Sequence, residues 1–403
     1  MSAGTDPPAG AAPGTPGRAG AGRGRVCFHA GYLYPLFSGG AIPFAGGAET
    51  QQALLARGLA RRGFEVSVVT CDYGQAAEIV VDGVRLLRSH PPRGGVPVLR
   101  FFHPRLSRTL RALHRADAEV YYARGAGVPA GIAYEVARAR RAAFVLGTAH
   151  DLDARRELAL HRNPRDRWWA RRTLRGADLV IAQTERQRAL YAGEFGRLSE
   201  VVPNLVPVPD AAVDPGREGA IVWLGTWKRS KRPEWLLELA RRMPERRFVM
   251  CGVMPVPPDT LESWQAAEAA ARACPNLEVR GFLDPGRVGE LFAGAALFVH
   301  TSPAEGFPNT LLEAWAHGLP SLSAVDPDGI VARESLGAVV ESVDALEAAA
   351  RRWMANPEWR RAAGARARSY AIGHHAPEAV LERFSALLDA MVERTRTRRT
   401  ARR

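Results

Sequence analysis

The sequence predicts an α/β protein built from two doubly wound domains, and three observations carry that expectation. Short apolar runs alternate with segments of helical periodicity along most of the 403 residues. A stretch rich in Pro, Asp and Gly, residues 207–219 (PVPDAAVDPGREG), interrupts the alternation, and the same pattern restarts after it. A chain of this length is also expected to divide into at least two cores.

Each element follows in order. Residues 1–24 are mostly Gly, Ala, Pro, Ser and Thr without an apolar signal-peptide core, so a disordered leader is expected there. The first domain is expected over 25–206. Its strand candidates are RVCFHA from Arg25, EVSVVT from Glu65, VRLLRSH from Val84, EVYYAR from Glu119, AFVLGTAH from Ala143, LVIAQT from Leu179 and EVVPNL from Glu200. Near-continuous apolar runs of this length suit parallel strands covered on both faces. Between the first two, Glu49 to Arg62 has Leu54, Leu55, Leu59 and Ala60 at helical spacing, and Gly63 ends the helix. The second domain is expected over 220–376, with strands AIVWLG, RFVMCG, LEVRGF, ALFVHTS and PSLSAV. Neither domain carries the dinucleotide fingerprint G-x-G-x-x-G. Residues 377–393 read as an amphipathic helix with Val380, Phe384, Leu387, Leu388 and Met391 on one face, expected to pack back on the first domain. Residues 394–403 (RTRTRRTARR) read as a basic tail.

Composition narrows the function classes. No run of about 18 apolar residues occurs, so no transmembrane helix is expected. Cys27, Cys71, Cys251 and Cys274 are far apart and lack metal-ligand spacing, which suits reduced core thiols in a cytoplasmic protein. The net charge of +13 is uneven: residues 25–206 carry 27 Arg against 16 acids, whereas 207–393 carry 20 Lys or Arg against 25 acids. The cationic first half suits an anionic acceptor or peripheral contact with the inner face of an anionic membrane. No nucleic-acid module or stacking pattern accompanies the charge, so nucleic acid is not an expected partner.

The most informative stretch is EGFPNTLLE, Glu305 to Glu313. It follows the strand candidate ALFVHTS and precedes AWAHGLP, whose Gly318 and Pro320 stop a helix. One carboxylate therefore lies in the loop leaving a strand and the other about one turn into the next helix, at the edge where α/β sheets bind ligands. The helix start offers free N–H groups around Asn309 and Thr310, which suit an anion. Carboxylates accept from sugar hydroxyls. Together these parts suit a molecule that is both phosphate and polyol, such as a sugar nucleotide. The 55 basic side chains include only two lysines, Lys228 and Lys231, both in the loop LGTWKRSKRPE after the strand AIVWL. A compact ammonium kept in one strand-end loop of an arginine-rich chain suits a diphosphate.

In their order and spacing these motifs resemble a glycosyltransferase of the GT-B type, two Rossmann-like domains facing across a cleft, in the retaining group known as family 4. The resemblance runs from about Val26 to Met391. Its strongest element is E-x7-E at Glu305 and Glu313, supported by GGAETQQALLARGLARRGFEVSVVT, GTAHD, ADLVIAQTERQ before VVPNLVP, and LGTWKRSKRPE. It implies that Glu313 accepts from the ribose hydroxyls. It implies that Glu305 holds the donor sugar, aided by the N–H groups of Gly306, Phe307 and Asn309. Lys231 matches the family's phosphate lysine. The family's arginine after the loop glycine is replaced here by Thr226, leaving Lys228 or Arg229 to supply the second cation. Backbone at Gly281 and Phe282 would contact the base. Gly46 and Gly47 would let the backbone approach diphosphate or acceptor, since glycine permits close contact. His150 would stand beside the donor sugar, with Asp151 next to it on the acceptor side. The alternative for His150 is a satisfied strand-end histidine, and Glu49 reads as a helix N-terminal charge rather than a catalyst.

The expected reaction is transfer of a sugar from a nucleoside diphosphate, UDP- or GDP-linked, to a hydroxyl of a sugar, lipid-linked or other acceptor in polysaccharide or glycoconjugate synthesis. Cations and a helix N-terminus aimed at the leaving oxygen stabilise its growing charge. No metal or other cofactor is expected: the Asp-x-Asp string DLD at Asp151 to Asp153 falls in the first domain, away from the proposed phosphate site. The resemblance implies attack on the face of departure, with retention. The stretch RDRWWARRTLR, with Trp168 and Arg171, reads either as an interfacial helix for anionic acceptors or headgroups, or as a helix with buried tryptophans and a solvated arginine face. Two other functions share the predicted parts: a sugar-nucleotide 2-epimerase on the same fold, and a non-catalytic sugar-nucleotide binding protein.

Overall fold

The computed structural model describes residues 22–39, 42, 46–93, 101–158, 163–252 and 261–401. Two separate sheets confirm the two-domain α/β expectation. The first contains β1 (Arg25–His29), β2 (Glu65–Thr70), β3 (Glu78–Val81), β4 (Val84–Arg88), β5 (Val120–Arg124), β6 (Ala143–Gly147), β7 (Leu179–Ala182) and β8 (Glu200–Val201), in the order β3-β4-β2-β1-β5-β6-β7-β8. The second contains β9 (Ala220–Leu224), β10 (Phe248–Cys251), β11 (Leu277–Arg280), β12 (Ala295–His300), β13 (Ser321–Ser323) and β14 (Gly337–Val339), in the order β11-β10-β9-β12-β13-β14. All pairings are parallel except β3 on β4.

The parallel strands are the apolar runs of the sequence because helices cover both faces and leave no polar side. Two strands escaped that reading. β3 is an edge strand joined to β4 by the turn Asp82–Gly83, both at positive φ (53° and 75°), so its residues alternate with solvent instead of forming an apolar run. β14, Gly-Ala-Val, is too short to show a pattern. Strand order reverses between β1 and β5 in one sheet and between β9 and β12 in the other, and the carboxyl ends of β5, β9 and β12 face the interdomain cleft.

The helix expected over 377–393 runs from Pro377 to Thr400. Val380, Leu381, Phe384, Leu388 and Val392 join the first domain's core, against α-face residues such as Ala56 and Leu59. A side chain at Gly58 would stand 2.4 Å from Leu381, so a glycine there lets the two helices close. The stretch read as a basic tail therefore continues the helix as far as residue 400. Thr395 donates to Glu119 O at 2.8 Å and accepts from Ala143 N at 2.9 Å, and Arg396 and Arg398 pair with Glu119 and Asp178. These acids on the first domain attract the arginines that composition alone left unassigned. The leader lies outside the described residues up to residue 21; Arg23, by contrast, pairs with Asp389 at 2.5 Å.

The linker is tied to the second domain. Asp214 pairs with Arg361 at 3.0 Å, and Arg360 donates to Pro215 O at 2.6 Å. The two chain crossings between domains touch each other: Val206 N donates to His375 O at 2.9 Å, and the His375 ring meets Asn204 O at 2.6 Å. Burial pushes His375 down to about 4, so it is neutral at this hinge. Away from the hinge, the carboxylate of Asp328 in the second domain accepts from Glu185 N and Arg186 N at 2.8 and 2.9 Å, capping a first-domain helix whose own N-cap is Thr184.

Candidate functional site

Between the domains lies a cavity of about 390 Å³, lined by the carboxyl ends of β5, β9 and β12 and by the starts of two helices, Gly47–Arg61 and Asn309–Ala316. On the second-domain wall, the loop after β9 is sewn to the end of β12. Trp223 Nε1 donates to Thr301 Oγ1 at 2.9 Å, Thr301 Oγ1 donates to Lys231 O, and Ser302 Oγ donates to Ser230 O at 3.0 Å. These bonds place the Lys231 ammonium on the Glu305 carboxylate, with His300 Nε2 at 3.9 Å from the same oxygen. Burial alone would raise the Glu305 carboxyl; the charge of Lys231 and its hydrogen bond hold it below its ordinary value. Burial likewise drives His300 down to about 4, so this histidine is neutral.

Glu313 also faces the cavity, one turn into the Asn309–Ala316 helix. Its carboxyl is pushed up to about 7 by burial, and it has no hydrogen-bond partner among the described residues. The helix begins after Pro308 with no side-chain cap, so its first N–H groups are unsatisfied beside Thr310. The Asn309 amide fixes this helix start to the first domain: Oδ1 accepts from Asn204 Nδ2 at 2.9 Å and Gln51 Nε2 at 3.3 Å, and Nδ2 donates to Gly47 O at 2.8 Å. A Cβ on Gly47 would meet Asn309 Nδ2 at 3.1 Å, and one on Gly306 would meet Gln187, Gln183 and Ala149 between 2.8 and 3.1 Å. Both glycines are therefore explained by close approach across the cleft.

Of the residues expected here, Gly46, Gly47, Lys228, Lys231, Phe282, Glu305, Gly306, Phe307, Asn309, Thr310 and Glu313 line the cavity. Five others do not. Arg229 lies on an exposed turn, and the exposed Gly281 has its carbonyl taken by Gly252 N at 3.2 Å. His150 caps the turn Asp151–Ala154: its Nδ1 accepts from Leu152 N at 3.1 Å, which leaves Nε2 to donate to Ala304 O at 3.2 Å. In this state the histidine is a strand-end cap bridging the domains. Asp151 accepts from Gln187 Nε2 at 2.9 Å. Trp168 and Arg171 line a different groove, with Tyr134, Arg172 and Arg175. There Trp168 is exposed while Trp169 packs over Gly131, so the helix matches neither expectation fully. The N–H of Phe307 is also engaged, donating to Gln183 Oε1 at 3.2 Å.

Beyond Gly46 and Gly47, the first-domain wall was not legible beforehand. Arg124 at the end of β5 lines the cavity, as does Glu49, whose carboxyl is raised by burial although it also stands in the first turn of its helix. Asn204 and Gln51 hold the donor-side loop. Lone amides and one arginine among 53 carry no pattern in a sequence. The acids of DLD serve local structure, Asp153 accepting from Ala149 N and His150 N at 3.1 and 3.0 Å. Among the described residues, no group of three or more His, Cys, Asp or Glu could hold a metal ion, and no helix is long and apolar enough to cross a membrane. The four cysteines are buried and free.

Comparison with known proteins agrees with this architecture. Residues 46–205 match the glycosyl transferase 4-like domain and residues 218–356 match glycosyl transferases group 1. No curated protein sequence matches the chain significantly. Among solved structures, sucrose-phosphate synthase from Thermosynechococcus elongatus aligns with a TM-score of 0.72 at 18% identity, over 91% of this chain and 98% of that one. Anabaena Alr3699/HepE in complex with UDP-glucose aligns with a TM-score of 0.65 at 15% identity, over 91% and 99%. WaaG, a glycosyltransferase involved in lipopolysaccharide biosynthesis, aligns with a TM-score of 0.63 at 17% identity, over 89% and 98%. At these identities the likeness speaks for the fold, while the two family matches, one in each domain, speak for the kind of protein. The chain belongs to the group 1 glycosyltransferases and has their GT-B fold.

Proposed function

We propose that this glycosyltransferase moves a sugar from a UDP- or GDP-linked donor to a hydroxyl acceptor, with retention of anomeric configuration and without a metal ion. The observation that carries the reading is one cavity holding an uncapped helix start, two lysines and two differently tuned carboxylates. Glu313, desolvated and without a partner, is ready to accept from two ribose hydroxyls. Glu305 is kept ionised by Lys231 and accepts from the donor sugar. Lys228, Lys231 and the Asn309 helix start neutralise charge as the diphosphate leaves. Because these dipoles and cations are fixed before the donor arrives, little reorganisation is needed in the transition state.

The acceptor hydroxyl attacks from the face the diphosphate leaves, and the departing phosphate oxygen takes its proton. Neither second-domain carboxylate is set apart as a nucleophile for a double displacement: Glu305 is engaged by Lys231, and Glu313 lies on the helix that faces the nucleoside. His150 turns toward the sugar only by giving up its bond to Ala304 O. The neighbour's complex with UDP-glucose and the cationic first domain fit a UDP-hexose donor and a sugar or anionic lipid-linked acceptor in polysaccharide or glycoconjugate synthesis. That chemistry belongs in the cytoplasm, with the Trp168 and Arg171 groove free to touch headgroups at the inner face of the membrane.

The test is the anomeric proton. Turnover of an α-linked sugar nucleotide in EDTA, followed by ¹H NMR, is expected to release the nucleoside diphosphate and give an α-linked product first. A β-linked first product would contradict retention, and activity appearing only with added divalent metal would contradict metal independence.

A further inference from the structure

Arg124 ends β5 at the point where strand order in the first sheet reverses, and its side chain reaches the cleft cavity. One Nη donates to Asn204 Oδ1 at 2.6 Å, while the buried Nε has no hydrogen-bond partner among the described residues. Glu49, on the same wall, makes no hydrogen bond to it. A desolvated guanidinium with an unfilled N–H is costly to keep, and an anion at the cavity wall offsets that cost through its charge. The same Asn204 donates to Phe307 O at 3.0 Å and to Asn309 Oδ1, so Arg124 is bonded through one amide to the start of the uncapped helix. The charge balance of the cavity points the same way. Lys231 is already neutralised by Glu305, which leaves Lys228 as the second-domain lysine open to an incoming dianion.

We propose that Arg124 is a donor-binding residue whose guanidinium contacts the diphosphate from the first domain, so that phosphate recognition is complete only with the two domains together. The ligand class is a nucleoside diphosphate, and the inference rests on the donor reading given above. A planar fork suits two phosphate oxygens at once, and the bond to Asn204 holds that fork in place before the ligand arrives. The cost of the desolvated guanidinium in the empty state is then the price of a preformed anion site. The arrangement also accounts for the cleft being bridged at Asn309: the bridge brings the phosphate-binding helix and this cation to one point.

The experiment is titration calorimetry of two series, uridine, UMP and UDP, and guanosine, GMP and GDP, into wild type, Arg124→Gln, Arg124→Lys and Arg124→Gln with Thr226→Arg. Thr226 lines the cavity from the opposite wall, so an arginine there offers a replacement charge. Affinity in wild type is expected to rise from nucleoside to diphosphate in one series. Arg124→Gln is expected to lose roughly 10- to 100-fold for the diphosphate and none for the nucleoside. Its melting temperature without ligand is not expected to fall, because the substitution removes a poorly satisfied buried charge. Arg124→Lys is expected to be intermediate, and the Thr226→Arg addition to restore at least tenfold. Unchanged diphosphate affinity with a raised KM for acceptor would move Arg124 to the acceptor and overturn the proposal. A loss shared equally by nucleoside and diphosphate, together with a lower melting temperature, would show a structural role and overturn it as well. Failure of wild type to bind either series would instead remove the nucleotide donor itself, an outcome separable from the others.

Discussion

Replacing Lys231 with alanine is expected to lower turnover by roughly 2–4 kcal/mol of transition-state stabilisation, a factor of about 30 to 1,000, while donor affinity changes much less. The ammonium is held on Glu305 in the empty site, so it is fixed by the protein before the donor binds. Charge on the leaving diphosphate grows only as the glycosidic bond breaks, and an interaction that strengthens at that moment appears in kcat rather than in KM. The substitution has a second consequence, since it leaves Glu305 buried beside a neutral His300. Without its main opposing charge, the carboxyl rises, and the variant loses stability as pH rises above the ordinary carboxylate range. Single-turnover kinetics in EDTA, with circular-dichroism melts of the same samples, separate the two effects. Wild-type turnover in the alanine variant would remove Lys231 from the phosphate site.

Glu313→Gln is expected to act on donor binding and on stability with opposite signs. Burial raises the Glu313 carboxyl from its ordinary 4.5 to about 7 in the empty protein. An acid whose folded value is raised contributes its stability below the unfolded value, and loses it as pH climbs through the folded one. Between about 4.5 and 7 the wild type therefore falls progressively behind a neutral glutamine. The variant is expected to melt higher at pH 8, by an amount of order 1–3 kcal/mol, and equally at pH 4. Donor binding moves the other way, because a carboxylate is the better acceptor for ribose hydroxyls. Loss of hydrogen bonds to a charged acceptor costs about 1.5–3 kcal/mol, so the nucleotide is expected to bind roughly 10- to 150-fold more weakly at pH 8. Wild-type affinity should rise with pH through about 7, and that of the glutamine variant should stay flat. Melting curves and calorimetry at three pH values measure both; a pH-independent wild type would remove Glu313 from the ribose.

The contrast between these residues and Arg124 shows what a sequence can reveal. Glu305, Glu313 and Lys231 belong to one domain and to segments whose boundaries are set locally by Gly318, Pro320 and the apolar run of β12, so their spacing carries their geometry. The two lysines were visible because they are rare in an arginine-rich chain. Asn204, Gln51 and Gln183 act on partners more than 100 residues away, across a cleft whose closure depends on both sheets, and Arg124 is held by Asn204, 80 residues along the chain. His150 was placed correctly at a strand end, but its two ring nitrogens are committed by Leu152 N and Ala304 O, and hydrogen bonds to backbone leave no mark in residue type. The extension of the last helix to Thr400 was hidden for another reason. Seven residues rich in Arg and Thr look like a tail until Glu119 and Asp178 are found beneath them.

The central claim, a metal-independent nucleotide-sugar site built on the second domain, is tested most directly by a thermal-shift panel of UDP-, GDP- and ADP-sugars on wild type and Lys231→Ala, with and without EDTA. Ligand that binds only the folded protein raises its melting temperature by mass action. One nucleotide class is expected to raise it in wild type, unchanged by EDTA, and to raise it nearly as far in the variant, whose deficit lies in turnover. No shift with any nucleotide, or one that EDTA abolishes, would contradict the account.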